Sequence, residues 1–85
     1  MYQIQFTDPA KKRFKKLPKD IRIRIVTKLE FFLSHEDPLI YSEVLTNPKI
    51  GTHRFRVGDY RIIFDLEAEI LLIHDVDLRG RIYRK

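Results

Sequence analysis

The chain has 85 residues, with 17 Lys and Arg against 12 Asp and Glu, a net charge of +5 and no cysteine. That length leaves room for one domain over residues 1–85 and excludes a second, and the absence of cysteine removes disulfides and thiolate metal sites together. The start, Met1-Tyr2-Gln3-Ile4-Gln5-Phe6, lacks the basic head and long apolar run of a signal peptide, and no stretch reaches the ~20 apolar residues that span a bilayer, so the cytoplasm is the expected location.

Tyr2, Ile4 and Phe6 alternate with Gln3 and Gln5, the period-two pattern of a half-buried strand. Asp8 followed by Pro9 reads as an N-cap with proline at the first helical position. Ala10, Phe14 and Leu17 then recur at helical spacing, which predicts a short basic helix ending near Pro18. The stretch from Lys19 to Ser34 opens ambiguously, because Asp20-Ile21-Arg22-Ile23-Arg24-Ile25 alternates like a strand. Ile21, Ile25, Leu29, Phe32 and Leu33 nevertheless make one helical stripe over about four turns, longer than a strand sustains, so a second helix and a hairpin hinged at Pro18 are expected. Ser34 to Pro38 breaks the pattern, and Leu39 to Gly51 reads as a connection with room for one turn of helix. Three strands should follow: His53 to Val57, Tyr60 to Leu66 after a Gly58-Asp59 turn, and Ile70 to Val76 after a tight turn at Glu67-Ala68-Glu69. The predicted order is β-α-α-β-β-β, an α+β domain in which the N-terminal strand and a three-stranded antiparallel meander form one sheet with the helices on one face.

A two-residue turn at Gly58 and Asp59 pairs Val57 with Tyr60, Arg56 with Arg61, Phe55 with Ile62, and Arg54 with Ile63. Phe55, Val57, Tyr60, Ile62, Phe64 and Leu66 then form an apolar face, and Arg54, Arg56 and Arg61 gather on the other. Arginines directly opposite one another repel. Either Asp65 on the same face neutralises them, or an anion such as phosphate bridges them, and three cations on one hairpin face favour the anion. Six of the nine arginines lie between Arg54 and Arg84, and the planar guanidinium fork suits phosphate better than a lysine point charge does. Tyr83 either packs an edge of the sheet or offers a platform for an unpaired base, with Arg79 or Arg81 supplying charge beside it. Among the histidines, His35 is expected at the surface and His74 in a buried hydrogen bond, while His53 adjoins the basic hairpin and is a candidate substrate contact. No histidines or carboxylates have metal-ligand spacing and Gly51 and Gly58 form no phosphate loop, so neither a metal nor any other cofactor is expected.

The run His53-Arg54-Phe55-Arg56-Val57-Gly58-Asp59-Tyr60-Arg61-Ile62-Ile63-Phe64 resembles the hairpin of RelE-family toxins, typically Tyr-Arg-x-Arg-Val-Gly-Asp-Tyr-Arg followed by apolar residues. Val76-Asp77-Leu78-Arg79-Gly80-Arg81-Ile82-Tyr83-Arg84 resembles the closing segment of that family, usually Val-Gly-His-Arg-x-x-Val-Tyr-Arg. The resemblance implies the toxin of a type II toxin–antitoxin pair: a metal-independent endoribonuclease that cuts messenger RNA on the ribosome and is neutralised by an antitoxin. By position it implies that Arg61 contacts the scissile phosphate, that Arg79 is the downstream catalytic arginine, and that Tyr83 stacks on a substrate base. Arg54 and Arg56 match the two basic positions of the first hairpin strand, Arg56 with the catalytic group and Arg54 as an RNA contact beside His53, Arg81 and Arg84. Three departures stand out: Leu78 replaces a frequent histidine, His53 replaces an aromatic residue, and Arg54 and Arg56 stand where the best-known member has lysines. Arginine does not surrender its proton, so the proton acceptor stays unassigned. Two other readings stay open, a ParE-like poison of DNA gyrase with the same fold and a non-catalytic RNA- or partner-binding domain descended from a toxin.

Overall fold

In the computed structural model, residues 2–46 and 50–78 are described. The chain begins with strand β1 (Gln3–Phe6), in which Ile4 and Phe6 turn inward and Gln3 and Gln5 outward, as their alternation predicts. Helix α1 (Asp8–Lys15) follows at once. Its N-cap is Thr7, one residue before the expected Asp8. Thr7 keeps an extended backbone and its hydroxyl accepts the Ala10 amide at 3.3 Å, so Asp8 and Pro9 fall inside the first turn, where a carboxylate suits the positive helix end and a missing N–H costs nothing. Pro18 stands extended at the head of α2 (Lys19–Leu33) and makes the corner of the helical hairpin.

Helix α2 resolves the ambiguous isoleucine run. A strand would have put Ile21, Ile23 and Ile25 on one side, whereas the helix buries Ile25, Leu29 and Phe32 and leaves Ile23 56% exposed. A single 3₁₀ turn (Pro38–Tyr41) follows, with the Asp37 carboxylate accepting the Leu39 amide at 3.2 Å. The connection then contains a strand that the sequence pattern does not disclose, β2 (Glu43–Val44), paired antiparallel with the first strand of the meander.

The meander comprises β3 (His53–Val57), β4 (Tyr60–Glu67) and β5 (Ile70–Leu78). Its first hairpin has the register expected from a Gly58-Asp59 turn: Val57 opposite Tyr60, Arg56 opposite Arg61, Phe55 opposite Ile62 and Arg54 opposite Ile63. Gly58 takes φ +60°, the left-handed value that this turn asks of its first residue. The sheet order is β1-β5-β4-β3-β2, with β1 parallel to β5 and every other pair antiparallel. Between Ile63 and Phe64 the β4–β5 register shifts by one residue, because Ile63 faces Asp75 while Phe64 faces Ile73, leaving His74 as the extra residue of a bulge. The core lies between the helical hairpin and one face of the sheet, where Phe32 of α2 sits 4.6 Å, centroid to centroid, from Phe55, which stacks 4.4 Å from Phe64.

The β4–β5 turn places Ala68 at φ 52°, a left-handed conformation that an L side chain resists by about 1–2 kcal/mol. Glycine removes that strain but adds unfolded-state freedom worth about 0.5–1 kcal/mol. Ala68→Gly should therefore stabilise the fold by about 0.5–1 kcal/mol and raise the thermal midpoint by a few degrees, measured by calorimetry.

Candidate functional site

The strand period and the hairpin register together make the second face of the sheet. Phe55, Val57, Ile62, Phe64, Ile73 and Val76 are buried against the helices, so Arg54, Arg56, Arg61, Ile63, Asp75 and Asp77, at the intervening positions, project the other way. Three arginines thus share one face, and Arg56 lies directly across from Arg61.

Carboxylates already answer these charges. Glu43 of β2 is the cross-strand partner of Arg54, and its carboxylate accepts the Nε of Arg54 at 2.8 Å and the Nε of Arg56 at 2.9 Å. The Arg54 hydrogen bond is the main reason that the Glu43 carboxyl is held below its ordinary value; desolvation opposes this, and the charges of Arg54 and Arg56 reinforce it. On the other side, Arg61 is opposite Asp77, and both are only 8% exposed. Asp77 also accepts a hydrogen bond from Arg13 of α1 at 2.6 Å, and the same guanidinium lies 3.4 Å from Asp75. Arg61 is therefore a nearly buried cation opposed by a carboxylate, where an open strand face would have left it in solvent.

Asp65, the neutralising group weighed from the sequence, is engaged elsewhere. Its carboxylate binds His74 at 2.7 Å and accepts the Thr52 amide at 2.9 Å. Burial is the largest single influence on Asp65 and works to raise its pKa, but the hydrogen bonds from His74 and Thr52 prevail and hold it below the ordinary carboxylate value. His74 is accordingly hydrogen-bonded as expected, though half-buried at the bulge where full burial was expected. His53 is opposite Phe64 in the register and stacks on that ring at 5.8 Å, which puts it on the helix side of the sheet, away from the arginines. The reason is the two-residue strand period: His53 shares the parity of Phe55, while Arg54 and Arg56 have the opposite one. His35 sits just beyond α2, within 2.8 Å of the Phe31 carbonyl and 3.0 Å of the Tyr41 hydroxyl. Arg79, Arg81, Tyr83 and Arg84 lie outside the described residues.

Glu43, Asp77 and Arg13 are site residues that sequence reasoning missed. Asp77 was out of reach of the pattern, since it comes to lie opposite Arg61 only through the one-residue bulge at His74. Glu43 carried no signal, because a two-residue strand has no period to detect. Among the described residues, no group of three or more His, Cys, Asp or Glu side chains could hold a metal ion, and no helix is long and apolar enough to cross a membrane.

The Asp65 pair gives a test of these electrostatics. A carboxyl whose folded pKa is depressed stabilises the fold above its unfolded pKa, near 3.8, and loses that contribution as pH falls through the folded value. The wild type should therefore be more stable than Asp65→Asn at neutral pH, and urea titrations should show the difference shrinking as pH drops from about 5 to about 2.

Comparison with known proteins places this chain in a family. A model described as "ParE toxin of type II toxin-antitoxin system, parDE" matches residues 4–83. Toxin RelG of Mycobacterium tuberculosis is 34% identical over 86 residues, covering 99% of this chain and 98% of the relative. A chain of the toxin–antitoxin complex RelBE2 from Mycobacterium tuberculosis superposes with a TM-score of 0.76 at 31% identity, over 92% of this chain and 98% of that one. The archaeal RelE–RelB complex of Pyrococcus horikoshii OT3 shares the fold, with a TM-score of 0.70 at 24% identity over 94% and 97% of the two chains. With a family model over nearly its whole length and a relative of this identity, the chain belongs to the RelE/ParE superfamily of type II toxins.

Proposed function

We propose that the chain is an endoribonuclease that cuts messenger RNA on the ribosome, in the cytoplasm, by attack of a ribose 2′-hydroxyl on the adjacent phosphate. The observation that carries this reading is the convergence of Arg54, Arg56 and Arg61 on one sheet face. RNA supplies its own nucleophile, so the protein has to hold the in-line geometry, stabilise charge on the phosphoryl oxygens and manage protons, and none of these tasks needs a metal. Arg61, Arg56 and Arg79 take the phosphate, and Tyr83 stacks a base. Arg54, Arg81 and Arg84 hold the flanking backbone. Arg61 acts from a position nearly shut off from solvent, where charge–charge attraction is stronger than in water. His53, across the sheet, has no part in this contact.

A cognate antitoxin restrains the activity. The shallow groove between the helices, lined by Phe14, Ile23 and Val26 and edged by Lys19 and Arg22, suits an acidic amphipathic segment. The relatives in toxin–antitoxin complexes support such a partner.

The test is cleavage of a translated message by the wild type and by Arg61→Ala. Loss of a charge-stabilising donor should slow cutting on the order of a hundredfold, and equal cutting by the two proteins rejects the assignment. The match to a ParE model keeps a second reading, a poison of DNA gyrase. Inhibition of purified gyrase by a protein that leaves translated message intact would select it.

A further inference from the structure

We infer that Arg13 of α1 is a positioning residue for the phosphate contact: it occupies the carboxylates of β5 and so leaves Arg61 to the RNA, a role that rests on the ribonuclease reading above. A guanidinium held at full strength by a carboxylate is a poor phosphate ligand, because the two anions compete for the same N–H donors. Asp77 is opposite Arg61 in the register, both of them nearly buried, and Asp75 stands two positions before Asp77 on the same face. Without another cation these two carboxylates would outweigh the one guanidinium opposite them, and a phosphodiester arriving there would be repelled.

Arg13 changes that balance from outside the sheet. β1 ends at Phe6, opposite Ile73, and past that point α1 lies along the edge of β5 where a strand would otherwise continue. The guanidinium of Arg13 thereby reaches Asp77 with its Nη1 at 2.6 Å and Asp75 with its Nε at 3.4 Å. Two carboxylates now face two cations, Arg13 and Arg61, and the phosphate meets a seat without net negative charge. Each carboxylate oxygen turned toward Arg13 is also one fewer holding Arg61. No other described charge of this face does the same work. Arg56, directly across from Arg61, turns its Nε to Glu43, which Arg54 shares. Asp65 is held by His74 and the Thr52 amide. Glu67 lies six positions along β4 from Arg61, about 20 Å at the rise of a strand.

R13A, D75N and the two combined test this in the full-length protein. Each is read by the rate of message cleavage in a translation reaction and by the binding of a short RNA with a 2′-deoxy sugar at the cleaved position. R13A should weaken RNA binding and slow cleavage about tenfold, less than the loss of Arg61 itself, because Arg13 acts through a carboxylate. D75N removes one negative charge yet keeps the oxygen that accepts the Val76 amide at 2.9 Å. It should bind the RNA more tightly than wild type does, and in the R13A background it should restore most of the lost rate. A mere tie between α1 and β5 is not repaired by D75N, which removes the other half of that tie, so the rescue separates charge balance from support. Cleavage by R13A at the wild-type rate overturns the proposal. So does an R13A rate that D75N fails to raise, which makes Arg13 a strut or a direct RNA contact. If R13A does not fold, D75N alone decides, and RNA binding no tighter than wild type rejects the proposal. A wild type that cuts no message defeats the ribonuclease reading itself, while the binding measurements still judge Arg13.

Discussion

The two-residue turn at Gly58 and Asp59 fixes how β3 pairs with β4, and that register decides which side chains meet the helices and which meet solvent. Phe55 and Ile62 pair on the inner face, Arg56 and Arg61 on the outer. A slip of one residue would turn Arg54 and Arg56 into the stack of Phe32, Phe55 and Phe64 and expose the aromatic rings in exchange. Neither half of that exchange is tolerable. An unpaired buried guanidinium is far costlier than any single packing contact, and each buried aliphatic or aromatic side chain contributes about 1.5–3 kcal/mol. The hydrophobic core therefore enforces the geometry of the charged face.

Once gathered, the arginines need anions. Within the protein those anions are Glu43 at the β2 edge and Asp77 on β5, with Arg13 of α1 closing the second group. The two arrangements differ in kind. Glu43 and Arg56 are half-exposed, so their attraction is screened and exchangeable, adding little to stability. Arg61 and Asp77 are nearly buried, where each charge depends on its protein partners because the surroundings solvate it poorly. The face thus combines a nearly buried cation, Arg61, with a half-exposed one, Arg56, whose partner is exchangeable.

Much of this was legible in the sequence because it depends on short-range periodicity. Alternation in Gln3–Phe6, the helical stripe of Ile25, Leu29 and Phe32, and the glycine that permits a tight turn each express a local rule that holds before the chain has folded. The same rules gave the shared face of Arg54, Arg56 and Arg61, and together with the motif they pointed to the family. Chain order and the number of turns likewise follow from where apolar runs stop.

What the tertiary structure decided were contacts between residues distant in sequence that no period connects. The parallel docking of β1 on β5 sets α1 along β5 and brings Arg13 to Asp77, 64 positions away. The pairing of Glu43–Val44 with β3 sets a carboxylate on two arginines, and the bulge at His74 draws Asp65 away from them. Burial gave Arg61 a different environment from its neighbours. A sequence determines which side chains alternate along a strand, because that is local backbone geometry; which charge ends beside which is a property of the assembled sheet, since it depends on long-range packing and on the cost of leaving any buried charge alone.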